Sequence, residues 1–193
     1  LSKMNDARIF VEHTLSEEEL LLQLVDEDER RTALSFGSAR RRREFMMWRH
    51  IVRRELGRDT LIAYSETGAP FLPRRAEHIG VSHSADMVAV IISERHCAID
   101  IEDIGRDFSR AASRFMTPDE CALGSDPRLQ AAVWCAKETL YKYSGKKGLS
   151  LTEDLAVTGV DFDNSTISGR IEGSRPIELR MRLLENNLIV YIG

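Results

Sequence analysis

With 193 residues, 42% of them hydrophobic and 30% charged, the chain can bury a substantial core and has the composition of an ordinary globular protein, not of a disordered or fibrous one. A net charge of −4 argues against a general nucleic-acid binder, and no apolar run is long enough to span a bilayer. The three cysteines, Cys97, Cys121 and Cys135, form no Cys-x-x-Cys pair; with no secretory pattern at the opening of the sequence, they predict reduced thiols in a cytoplasmic protein.

Arg8 to His13 reads as a short strand. Ser16 and Glu19 then have the spacing of a capping box, predicting a helix just after Leu15. An acidic stretch from Asp26 to Arg30 leads to a break at Phe36-Gly37-Ser38. Ala39 to Leu56 is strongly basic and carries an apolar stripe at Phe45, Trp48, Val52 and Leu56, the repeat of a helix with one buried face. Arg42, Arg49 and Arg53 share another face. Such a run is either a solvated surface or an anion site, since guanidinium groups grip phosphate through paired hydrogen bonds.

Gly68-Ala69-Pro70 and Pro73 mark a loop. Beyond Ile79-Gly80-Val81, the segment Ser82-His83-Ser84 leads into an apolar strand, Met87 to Ile92. Neighbours on an extended segment face opposite ways, so Ser82 and His83 are not a nucleophile and its base. They suit a cluster of donors for an anion, or an ordinary strand-end contact. Cys97 to Glu102 reads as the next strand, with Asp100 and Glu102 on one face and Ile99 and Ile101 on the other. Paired carboxylates of this kind are either an exposed strand end or a site for a hard cation such as Mg²⁺.

Gly105 to Met116 sets Phe108, Phe115 and Met116 among arginines, as core or as a patch for a partner. Thr117-Pro118-Asp119-Glu120 combines an N-cap, a first-turn proline and a capping-box glutamate, and so starts a helix. A longer helix follows, with Asp126 and Pro127 as its expected start and Gly145 at its end. Leu129, Ala132, Val133, Ala136, Leu140 and Tyr143 form its apolar face. Glu138 and Lys142, four apart, lie one above the other, and Lys137 points to the side. Taken alone, that pair is a solvated ion pair on an amphipathic helix. From about Leu155 to Ile192 the pattern is of short strands, the clearest at 166–171, 177–183 and 188–192, with a hairpin turn at Glu185-Asn186-Asn187.

Three segments carry more meaning together than apart: Ser82-His83-Ser84, then Asp100-Ile101-Glu102, then Trp134-Cys135-Ala136-Lys137-Glu138 with Lys142. In this order they resemble the 4′-phosphopantetheinyl transferase superfamily. Its signature is a Gly-Ile/Val-Asp-Ile/Val-Glu strand followed by a helix with Trp-x-x-Lys-Glu, a small residue, and a lysine four positions after the glutamate. Ala98 stands where glycine is usual, and Thr139 where alanine or serine is usual. The helix bearing Arg43, Arg49 and Arg53, and the loop Gly68-Ala69-Pro70, extend the resemblance over about residues 26–143. The length is that of the longer, monomeric, surfactin-synthetase-activating members, not of the short trimeric synthases.

The resemblance implies an α+β fold of two similar halves, a pseudo-repeat in which each half packs a small antiparallel sheet on a long helix. The halves would be residues 1–97, with the arginine helix and the nucleotide contacts, and residues 98–193, with the metal site and the catalytic helix. It implies transfer of 4′-phosphopantetheine from coenzyme A to a serine of an apo acyl or peptidyl carrier protein, dependent on Mg²⁺ with Mn²⁺ as the alternate. No membrane or nucleic-acid partner is implied. By the family pattern Asp100, Glu102 and Glu138 hold the metal. Lys137 and Lys142 act on phosphate oxygens, and Glu138 accepts the proton of the attacking serine. Arg49, Ser82 and His83, with the two lysines, bind coenzyme A, His83 at its 3′-phosphate. An acidic carrier would dock near Gly105 to Met116. Ala69 departs from the pattern by replacing a lysine, so weaker coenzyme A binding is expected unless an arginine among 40–43 or 74–75 substitutes. Two competing readings remain: another Mg²⁺-dependent phosphotransferase or phosphohydrolase using the same carboxylates, and a non-catalytic coenzyme A or nucleotide-binding relative. Retention of all three carboxylates and both lysines speaks against the second.

Overall fold

The computed structural model describes residues 7–193; the opening positions, on which the reading of no secretory pattern rests, lie outside that range. The first half of the chain runs β1 (Arg8–His13), α1 (Glu18–Leu22), α2 (Glu27–Ser35), α3 (Ala39–Leu56), a small hairpin of β2 (Ala63–Tyr64) and β3 (Pro70–Phe71), then β4 (His78–Ser84) and β5 (Met87–Ser93). The second half runs β6 (Ala98–Asp103), α4 (Pro118–Cys121), α5 (Leu129–Ser144), β7 (Leu155–Asp161), β8 (Thr166–Ile171), β9 (Ile177–Leu184) and β10 (Asn187–Ile192).

Two main sheets result, both antiparallel: β1-β5-β4, and β6-β10-β9-β8-β7. Alternation along β5 decides how they stack. Val88, Val90 and Ile92 face α3, packing with Met46, Ile51 and Val52. Met87, Ala89 and Ile91 face the other way, against Ile99, Ile101 and Ile189 of the second sheet. The far face of that second sheet carries α5, through Ala132, Val133, Ala136 and Leu140 against Leu179, Leu188 and Val190. The molecule is therefore layered helix, sheet, sheet, helix, which is the α+β class expected. Because β5 is covered on both sides, all seven of its residues are buried, and the six before Ser93 are a continuous apolar run with no polar alternation. The expected division after residue 97 falls in the turn between β5 and β6, and the core between the sheets runs across it.

β4 and β6 belong to different sheets, yet Gly80 lets them approach closely. A Cβ built there would lie 2.8 Å from Ile91 Cγ2 and 3.3 Å from Ala98 Cα. That contact sets the serines of β4 beside the carboxylates of β6.

Helix boundaries show where local signals competed. The Ser16 capping box does not form: α1 begins after Glu17, with no side-chain cap. The reciprocal box forms instead in the acidic stretch, between Asp26 and Glu29, and creates α2 where only a lead-in to a break was expected. The Thr117–Glu120 box does form, but α4 lasts a single turn. Arg128 is the N-cap residue of α5; Asp126 sits two residues earlier, accepting from the Arg128 backbone N–H at 2.8 Å and gripping its guanidinium. Gly145, at φ 63°, closes α5 in the left-handed region, where glycine carries no steric penalty. The last strands fall where the alternation put them, and β7 adds an edge strand from Leu155.

Candidate functional site

The period of two along β6 turns Asp100 and Glu102 towards α5 while Ile99 and Ile101 fill the layer between the sheets. Both carboxylates are buried. The same period on β4 supplies a hydroxyl for each. Ser82 Oγ donates to Asp100 Oδ1 at 2.7 Å, and Ser84 Oγ donates to Glu102 Oε1 at 2.8 Å. Ser82 Oγ also accepts from the Ile101 backbone N–H at 3.3 Å, which locks β4 and β6 in register. His83, between the serines, faces the other way; its Nδ1 lies 3.4 Å from Glu44 on α3.

Cations complete the cluster. Lys142 Nζ donates to Asp100 Oδ1 at 2.7 Å and to the Ile99 carbonyl at 3.0 Å. Arg106, in the loop after β6, pairs with Glu102 Oε2. Its guanidinium lies over the rings of Phe108 and Trp134, 5.0 and 5.4 Å from their centroids. Glu138 stands one helical turn before Lys142. Burial, and then the neighbouring charge of Asp100, raise its carboxyl above the ordinary carboxylate value, with Lys142 opposing. Cys135, fully buried on the same helix, is pushed well above the ordinary thiol value, first by burial and then by Asp100 and Glu102.

An all-carboxylate donor set suits a hard divalent cation, which would offset both the burial of Glu138 and its repulsion by Asp100. In this structure Lys142 and Arg106 neutralise Asp100 and Glu102, and among the described residues no three His, Cys, Asp or Glu side chains are gathered closely enough to hold a metal. The residues fit the ion by chemistry, and taking it requires their present ion pairs to open.

Lys142 also lines a cleft of about 870 Å³ between the halves, a volume in the range of small-molecule sites. β3 and β4 form one wall; the C-terminal end of α5 forms the other, with Tyr141, Lys146 and Lys147. Ala69 lies on the first wall, and so does Arg75, whose guanidinium is braced by Glu77 at 2.9 Å and the Leu56 carbonyl at 3.1 Å. The cleft therefore gathers cations around a largely apolar floor, as an anionic ligand with an apolar arm would require.

Of the side chains singled out from the sequence, the structure brings together Ser82, Asp100, Glu102, Glu138 and Lys142. It leaves His83 on the opposite face of β4. It does not bring Arg49 or Lys137 to the cluster. Arg49 is sealed beneath α2: its guanidinium bonds Glu29 Oε1 at 3.1 Å and the Tyr64 hydroxyl, and stacks 3.4 Å from the Phe45 centroid. Arg42 and Arg53 are likewise taken by Glu18 and Glu29. Each of the three arginines of this face is thus paired with a carboxylate of the chain's own acidic stretches. Lys137 has no solvent exposure; its Nζ donates to Glu120 Oε2 at 2.7 Å and to the Leu151 carbonyl at 2.6 Å, inside the C-terminal half. Ser84, as partner of Glu102, was missed although its two-residue offset from Ser82 pointed to it. Arg106 comes from an irregular loop, and no periodic signal marks it.

Residues 96–189 match the family described as the 4′-phosphopantetheinyl transferase superfamily, a span that includes Asp100, Glu102, Glu138 and Lys142. Comparison with curated proteins finds no match.

Proposed function

From the chain's membership of the 4′-phosphopantetheinyl transferase superfamily, whose activity is phosphopantetheine transfer, we propose that it moves 4′-phosphopantetheine from coenzyme A to a serine of an apo acyl or peptidyl carrier protein. The observation that carries this reading is the double position of Lys142, which lines the cleft and bonds Asp100. Coenzyme A lies in the cleft with its pyrophosphate at Lys142, whose ammonium offsets the charge that builds on the phosphates as the bond breaks. Arg75, Lys146 and Lys147 hold the remaining phosphate charge in place of the lysine that Ala69 lacks. The carrier's serine oxygen attacks the pantetheine-side phosphorus, and the nucleotide phosphate leaves with the electron pair of the broken P–O bond. The serine proton passes to Glu138, whose raised carboxyl makes it a stronger base than an ordinary carboxylate. Ser82 and Ser84 orient the two carboxylates of β6.

Asp100, Glu102 and Glu138 are the residues to hold Mg²⁺ or Mn²⁺, which when bound supplies Lewis-acid stabilisation to the pyrophosphate. Lys137 and Arg49 act at a distance, as parts of the scaffold. The basic segment from Gly105 to Met116 is the docking side for an acidic carrier, and the protein works as a cytoplasmic monomer.

Intact-mass spectrometry of apo carrier protein incubated with this protein, coenzyme A and Mg²⁺ tests the reading. A gain of one phosphopantetheine is expected. It should be abolished by chelator and slowed about 10²–10⁴-fold by Glu138→Ala, the usual cost of removing a general base. No gain with folded protein on carriers from fatty-acid, polyketide and peptide pathways refutes transfer and leaves a binding module.

A further inference from the structure

We propose that Arg106 is a latch on Glu102: it holds the carboxylate oxygen that a divalent cation would take, and so sets the metal affinity of the site. The inference rests on the reading of Asp100, Glu102 and Glu138 as metal ligands. Glu102 Oε1 already accepts two hydrogen bonds, from Ser84 Oγ at 2.8 Å and from the Asp103 backbone N–H at 3.0 Å. Oε2 is the remaining oxygen, and Arg106 occupies it. The two partners differ in mobility. The Glu102 side chain is 11% exposed on a paired strand, while that of Arg106 is 47% exposed in a loop. Arg106 can therefore swing into solvent, whereas Glu102 is held by β4 and by its own strand.

The latch has a second hold. Its guanidinium rests near Phe108 and Trp134, and Trp134 is one turn ahead of Glu138 on α5. A half-exposed ion pair with this support keeps the site closed most of the time, and the apparent dissociation constant for the cation rises by the inverse of the open fraction, here about fivefold. Opening takes the guanidinium off the indole, so cation binding reports itself through tryptophan emission.

Mn²⁺ titration of the full chain, followed by the electron paramagnetic resonance signal of free Mn²⁺, tests this. Arg106→Gln should bind Mn²⁺ about fivefold more tightly than the unaltered protein. Arg110→Gln removes the same charge from the same loop without touching Glu102, and should change affinity less than twofold. Mn²⁺ is a paramagnetic quencher, so emission is read with Mg²⁺: the unaltered protein should change on binding and Arg106→Gln should not. Equal affinity in the unaltered protein and Arg106→Gln, or equal tightening in Arg106→Gln and Arg110→Gln, overturns the latch. So does a lack of measurable binding by any of the three. Cation-dependent transfer to a carrier, measured on the same preparations, then shows whether the reading of the enzyme survives the loss of the latch.

Discussion

Lys137 offers the sharpest test of how this helix is used, because the family motif places it among catalytic residues and the fold buries it. Its Nζ lies 2.7 Å from Glu120 Oε2 with side-chain exposures of 0% and 3%. At that distance the attraction is about 6 kcal/mol for an effective dielectric constant near 20, and desolvation of two buried ions offsets most of it. Removing one partner is different, since it leaves an unpaired charge in the core, at a cost of about 3–5 kcal/mol. Glu120 makes the loss worse: Oε1 also accepts from the Val157 N–H at 2.8 Å and Oε2 from the Thr117 N–H at 2.8 Å, so one carboxylate ties α4, α5 and β7 together. Lys137→Met and Glu120→Gln should each lower the urea-derived stability by that amount, which corresponds to roughly 6–20 °C in melting temperature for a chain of this size. The double variant should cost less than the sum of the two, because neither charge is then stranded. Transfer rate per folded molecule, measured well below the melting temperature of each variant, should change less than about threefold, far below the loss from removing a general base. If Lys137→Met kept its melting temperature and lost transfer, the buried pair would be irrelevant and the lysine would work on phosphate.

Two further outcomes follow from titratable groups. His13 bridges the sheets, with Nδ1 3.0 Å from Asp86 Oδ2 and Nε2 3.4 Å from Glu185 Oε1, and these carboxylates raise it above its ordinary value of 6.5. A histidine raised in the folded state contributes its stabilisation fully below pH 6.5 and loses it as pH climbs through the raised value. The stability difference between the unaltered protein and His13→Gln should therefore be present at pH 6, under about 1 kcal/mol for so exposed a contact, and vanish by pH 9; a constant difference would contradict the bridge. Among the cysteines, burial pushes Cys97 up to about 12 and Cys135 well above its ordinary value, whereas Cys121 is exposed on α4. Ellman's reagent at pH 8 should titrate one thiol in the native protein and three in urea, and two rapid native thiols would show that the layers open.

What the sequence by itself determined is what short-range geometry controls. A period of two is a property of any strand, so Asp100 and Glu102 had to share a face, and Ser82 with Ser84 likewise. A spacing of four is a property of any helix, so Glu138 and Lys142 had to stack. The last strands and the glycine closing α5 were legible for the same reason. What these faces meet was decided elsewhere in the chain. Lys137 and Lys142 are five residues apart, about 140° around the helix, and nothing local says which one enters the core. The answer is Glu120, 17 residues away in sequence, which buries one lysine, and Asp100, 42 away, which takes the other. Arg49 is settled in the same manner by Glu29, 20 residues back on a helix created by a capping box in what read as an acidic lead-in. Gly80 shows the principle in the backbone: its missing side chain admits Ala98 of another sheet, a neighbour that only the folded chain supplies. Sequence spacing sorts side chains onto faces, and tertiary structure chooses the partner for each face, because charge pairing and desolvation act between residues that meet only on folding.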